Sequence, residues 1–147
     1  MLYNRAAAVR YAHIWAHRRN PKYYDYTNLG GDCTNFASQC IFAGLGAMDY
    51  GRNGWYYRNA NDKSPSWTGV PFLYEYLTRT GKAAPCNPET LAAGDLVQLS
   101  FDGAAYSHSL IVVEVAPAIL VATHTYDADY RPLTSYTFGK ARGLHFN

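Results

Sequence analysis

Just past its midpoint the chain changes hydrophobic period, and this one feature leaves few architectures open to it. Up to Gly81 the apolar residues recur at helical spacing. Asn4 can cap a helix reaching about Arg18, with Ala7, Tyr11, Ile14 and Trp15 on one stripe, and Asn20-Pro21 ends it because proline disfavours helical backbone in the residue before it. A second run, Cys33 to Ala43, closes at Gly44, where a left-handed cap is common. A third opens at Val70-Pro71, carries Val70, Leu73, Tyr74 and Leu77 on one face, and stops at Gly81. Beyond it, Leu96 to Phe101, His108 to Val115 and Ile119 to Thr125 are β-branched or apolar runs of strand length, with a shorter candidate at Gly143 to Asn147. Helices first and strands second predict an α+β fold, the N-terminal helices packed on an antiparallel β-sheet. The 147 residues suit one domain. Between Gly44 and Thr68 no period emerges, and the Gly, Asn, Asp and Ser there predict an ordered loop region carrying Trp55, Tyr56, Tyr57 and Trp67.

Composition excludes several functions. The formal charge is +2 with no Lys/Arg cluster beyond Arg18-Arg19, so no nucleic-acid partner is expected. No stretch nears the roughly 18 to 20 apolar residues that span a membrane, and Met1 to Trp15 lacks the apolar core of a signal peptide. A soluble monomer is expected, exported or cell-wall associated as part of a longer precursor. Three cysteines cannot all pair, and none lies in a C-x-x-C. His13 and His17 stand four apart without a third ligand, and there is no H-E-x-x-H, so neither metal nor cofactor is expected. Gln39 occupies the place where a cysteine phosphatase needs arginine, and no glycine run precedes G-K-S/T. Fourteen tyrosines suit a surface for sugars or peptides, although tyrosine also fills half-buried positions with its hydroxyl in water.

The local sequence that carries chemistry is Gly30-Gly31-Asp32-Cys33-Thr34-Asn35-Phe36, a glycine turn that delivers a cysteine to a helix start. The positive end of a helix stabilises anions, so Cys33 is expected to lean toward thiolate and to act as nucleophile. Its own N–H would be one oxyanion donor, and Asn28 or Tyr26 just upstream could supply the second. Cys40 reads as core, and Cys86 lies between Pro85 and Asn87 in a turn. His108 opens an apolar strand, a position that asks a polar ring for a reason, and is the candidate general base. Its orienting partner would be His124 on the next strand: with Ala116-Pro117-Ala118 as a three-residue turn, both histidines project from one sheet face. Asp127, in the following loop, competes for that role.

These residues resemble a known family, the Putative amidase domain family, related to the NlpC-type cell-wall peptidases and CHAP amidohydrolases of the papain-like superfamily. The likeness rests on Tyr3-Asn4-Arg5-Ala6-Ala7-Ala8-Val9, on Gly31-Asp32-Cys33-Thr34-Asn35-Phe36-Ala37-Ser38-Gln39-Cys40, on Gly54-Trp55-Tyr56 and Ser66-Trp67, on Gly94-Asp95-Leu96, on Ser107-His108-Ser109 and on Ala122-Thr123-His124-Thr125-Tyr126. The resemblance implies a papain-like fold and a cysteine-dependent amidase or peptidase that cleaves an amide of bacterial cell-wall peptide through a thioester. It implies catalytic Cys33, His108 and His124, with Asp32 binding a substrate amine. Trp55 and Trp67 are expected to wall the cleft. A glycan- or peptide-binding module using those tryptophans, with Cys33 inert, is the reading from another class, and acyl transfer in place of hydrolysis is a third.

Overall fold

A computed structural model describes residues 2–147. Helix α1 spans Arg5–Trp15 and α2 spans Cys33–Leu45, followed by a short hairpin, β1 Tyr57–Asn59 and β2 Asp62–Lys63. One helical turn, α3 Pro65–Thr68, leads to α4 Val70–Thr80, and six strands complete the chain: β3 Ala83–Cys86, β4 Leu96–Ser100, β5 His108–Glu114, β6 Leu120–Thr123, β7 Ala128–Pro132 and β8 Lys140–Phe146. The six form one sheet in the order β3-β8-β4-β5-β6-β7 with every neighbour antiparallel. The fold is α+β, with a few helices on an antiparallel sheet, as the change of period implied.

Local chemistry sets the element ends. Asn4 caps α1 by accepting the Ala7 N–H at 3.0 Å. Helix α2 runs past Gly44 to Leu45 and is closed by Gly46, whose φ of 80° is left-handed. Gly44 serves packing instead: a Cβ there would stand 2.3 Å from the Tyr3 ring, so only glycine lets the N-terminal segment lie on α2.

The sheet has two apolar faces. Leu96, Ile111, Ala122, Leu144 and Phe146 meet Ala8 and Ala12 of α1, Phe36 and Ile41 of α2, and Leu73 and Leu77 of α4. Val97, Leu99, Leu110, Val112, Val121 and Leu133 form a second cluster on the opposite face. The alternation along β4 and β5 follows from the two-residue period of a strand. Asp95, fully buried, ties the chain ends to this frame by accepting from Arg5 Nη1 at 2.8 Å, the Phe146 N–H at 3.0 Å and the Ala92 N–H at 2.8 Å, with His145 Nδ1 at 2.7 Å. This explains Gly94-Asp95 as structural. Among the described residues no helix is long and apolar enough to cross a membrane.

The β5–β6 pairing departs from expectation at one point. Next to the turn Glu114 faces Leu120, the register of a three-residue connection, but Val112 then faces Val121 and Ile111 faces Ala122. Val113 is an extra residue on β5, a bulge, and one extra residue exchanges the faces of everything beyond it.

Candidate functional site

The turn that precedes Cys33 is built by two glycines in left-handed conformation, Gly30 at φ 89° and Gly31 at φ 101°. The Tyr26 carbonyl accepts the N–H groups of Leu29 and Gly31, and the Asp32 N–H donates to Thr125 Oγ1 at 2.9 Å. Cys33 is therefore delivered to the first position of α2, against the beginning of β5. Cys33 is 8% exposed, its thiol lies 3.7 Å from Thr34 Oγ1, and the Ser109 main-chain N–H is among the groups favouring its thiolate. Burial outweighs them: desolvation pushes the thiol pKa up. The expected lean toward thiolate is thus corrected, because the helix end is too dry for a bare anion.

His108 begins β5, one residue before Ser109. Burial, and then the positive charge of Arg131, lower its pKa to about 4. Its ring lies 6.0 Å from those of Phe101 and Tyr136, and among the described residues neither ring nitrogen makes a hydrogen bond. Among the described residues no hydrogen bond joins the Cys33 thiol and the His108 imidazole, which rests neutral near pH 7. An unfolded histidine titrates near 6.5, so between about pH 6.5 and 4 the unfolded chain binds a proton that the folded chain refuses. Stability should fall on acidification through this window, by on the order of 3 kcal/mol, and flatten below it. Chemical denaturation of His108→Gln beside the parent should show the slope reduced; an unchanged slope would place the titration elsewhere.

His124 does not orient His108. The bulge at Val113 turns the two rings to opposite faces of the sheet. His124 stacks on Phe36 of α2 at 4.0 Å, and its nitrogens are taken: Nδ1 lies 2.5 Å from Asp32 Oδ2 and Nε2 lies 2.8 Å from the Trp15 carbonyl oxygen. Asp127 is no substitute, since Arg19 grips both its oxygens at 2.8 and 3.0 Å.

The expected substrate wall is also corrected. Asp32 is buried, and besides His124 it accepts from the Tyr26 N–H at 2.8 Å and Asn35 Nδ2 at 2.9 Å, so no oxygen is left for a substrate amine. Trp55 and Trp67 are fully buried; their indole N–H groups donate to Ser38 Oγ and Asn35 Oδ1. Core tryptophans cannot hold a ligand, and this removes the binding module that relied on them. Asn28 is exposed in the glycine turn and, among the described residues, bonds to no group of the site. Cys40 is fully buried, as expected, whereas Cys86 ends strand β3 opposite Gly143 instead of occupying a turn.

The string Asp-Cys-Thr-Asn-Phe now reads residue by residue. Asp32 and Phe36 grip His124, Asn35 holds Asp32 and Trp67, and Thr34 Oγ1 lies 3.0 Å from Ser109 Oγ, leaving Cys33 as the one side chain with no structural bond of ordinary length. Sequence reasoning missed Ser109, Gln98 and Arg19. Ser109 was in view beside His108, but only the sheet register reveals which of the two faces α2.

The family model described as Putative amidase domain matches residues 2–146. The chain belongs to that family. It is also 33% identical over 150 residues to "Uncharacterized protein YhbB" of Bacillus subtilis (strain 168), covering 92% of this chain and 47% of that protein, so it spans about half the relative's length. No solved structure matches. Membership makes an amidase-type hydrolase the activity suggested for this domain.

Proposed function

We propose that this domain is a cysteine-dependent amidase that cleaves an amide of a peptide through a thioester on Cys33, with His108 as general base. The observation that carries the reading is the placement of an otherwise unbonded thiol on the first turn of α2, beside the strand that His108 opens. Asp32 makes no side-chain cap to α2, so the first-turn amides, that of Cys33 included, keep their donors for an oxyanion.

In the reaction, substrate binding carries the His108 ring, which rests on the sheet face away from α2 beside Phe101 and Tyr136, round the start of β5 to the sulfur. The thiol proton passes to the ring as the S–C bond forms. Thiolate and imidazolium stabilise each other, which raises the proton affinity of an imidazole that rests unprotonated. The ring then gives its proton to the departing amine as the C–N bond breaks, leaving a thioester that water hydrolyses. Cell-wall stem peptide is the substrate class suggested by the likeness to NlpC-type peptidases.

The test is to quench the protein in acid during turnover of peptide amides and isolated cell-wall fragments, and to map adducts by mass. An acyl group on the Cys33 peptide, removable by hydroxylamine, is the expected result. Turnover without an adduct there, or an adduct on Cys86, overturns the proposal.

A further inference from the structure

The sheet face that carries Cys33 extends sideways into a cationic site. Ser109 of β5, Gln98 of β4 and Arg142 of β8 stand side by side in one rung. Ser109 Oγ lies 3.0 Å from Thr34 Oγ1, Gln98 Nε2 donates to it at 3.2 Å, and Arg142 donates to Gln98 Oε1 through Nε at 3.0 Å and Nη2 at 2.8 Å. The guanidinium is clamped between two rings, its Cζ 3.6 Å from the centre of Tyr74 and 3.9 Å from that of Tyr106. Lys140 Nζ approaches Tyr106 from 5.3 Å and adds positive charge.

No carboxyl group answers this charge. Arg5, Arg19, Arg58 and Arg79 each pair with Asp or Glu. Among the described residues Arg142 has no acidic partner within 4.0 Å, and its Nη1 bonds to nothing. A half-buried guanidinium held rigid by two rings and a glutamine, with its outer edge free, is pre-organised for a planar anion, and a carboxylate fits that edge.

We infer that Arg142 holds a free carboxylate of the substrate, an inference that rests on the amidase reading for its place beside Cys33. Strands lie about 4.8 Å apart, so the backbone of Arg142 stands roughly 10 Å from that of Ser109, about three residues of extended peptide. Ser109 and Gln98, which also donates to the Val70 carbonyl at 3.0 Å, are fully buried, so the peptide would pass over them. The domain would then select peptides cut a short way from a free carboxyl end.

The experiment uses N-acetyl peptides of two to five residues, each ending in carboxylate or carboxamide. Binding is first measured by calorimetry on Cys33→Ala protein, which needs no turnover. The carboxylate member should bind roughly tenfold tighter or better, since a charge-assisted bond is at stake. Arg142→Gln on that background should bring the ratio near one, and Arg142→Lys should keep part of it. Equal affinity of the two peptides, or a preference that survives Arg142→Gln, overturns the inference. If Arg142→Gln does not fold, the parent comparison and Tyr106→Ala, which removes one clamping ring, decide. In active protein the same preference should appear in kcat/KM. Preferential binding with no hydrolysis of any peptide would sink the amidase reading alone.

Discussion

Cys33→Ala should lose hydrolysis of any substrate the parent cleaves by at least roughly 10³-fold, and His108→Ala should lose a comparable amount. In the proposed mechanism the sulfur is the atom that bonds the carbonyl carbon, and no neighbour can replace it. Cys40 is buried in the core and Cys86 ends an edge strand on the far side of β8 from β4. If thiol and imidazole act in one step, as proposed, the double variant should be scarcely worse than either single one. Additive losses would separate His108 from the step that uses the sulfur. Full activity in Cys33→Ala would end the proposed mechanism whatever the adduct mapping showed. The effect should also be chemical and not structural: Cys33 forms no hydrogen bond that a fold depends on, so the melting temperature of Cys33→Ala should stay within a few degrees of the parent.

What could be read from the sequence follows a physical line. Elements announced by side chains at their own ends were legible: the Asn4 cap, the helix beginning at Cys33, the αL glycine after Thr80, and the central strands β4 and β5, whose burial on both faces makes them largely apolar. The hairpin β1–β2 lay unread in the segment without a period, and within the six-stranded sheet the two strands that left no signal are its edges, β3 and β7. Each is short and contains a proline, Pro85 or Pro132, which an edge tolerates because one side of its backbone is unpaired. The site was legible to the extent that it depended on the local turn before Cys33. It failed where it depended on a bulge, since Val113 looks like any other β-branched residue of a strand, yet it decides which face His108 and His124 present. The tryptophans misled for a related reason. A segment without a period reads as an ordered loop whose tryptophans could wall a cleft, but Trp55 and Trp67 pack 4.8 Å apart in the core, and their N–H groups find partners in α2.

The largest loss of stability is expected from His124→Ala. The imidazole fills the space between Asp32 and the end of α1, with one nitrogen on a buried carboxyl and the other on the Trp15 carbonyl oxygen, and its face lies on Phe36. Removing it leaves the Asp32 carboxyl dependent on the Tyr26 N–H, Asn35 Nδ2 and Arg19 Nε, the last at 3.8 Å, and takes one of two partners from the Trp15 carbonyl, which keeps the Arg18 N–H at 3.1 Å. Breaking a buried polar pair from one side costs about 3 kcal/mol or more, and for a chain of this length that lowers the melting temperature by roughly 10 °C. Asp32→Ala should cost a similar amount, and the double variant less than the sum of the two, because each single change exposes the same broken pair. The Asp32–His124 clamp fixes the residue before Cys33, so some catalytic loss should accompany the instability. It should be much smaller than that of His108→Ala when both are assayed well below their melting temperatures. His124→Asn, which keeps a donor and an acceptor, should recover part of the melting temperature. A His124→Ala protein that melts like its parent but is as inactive as Cys33→Ala would overturn the clamp and return the ring to the chemistry.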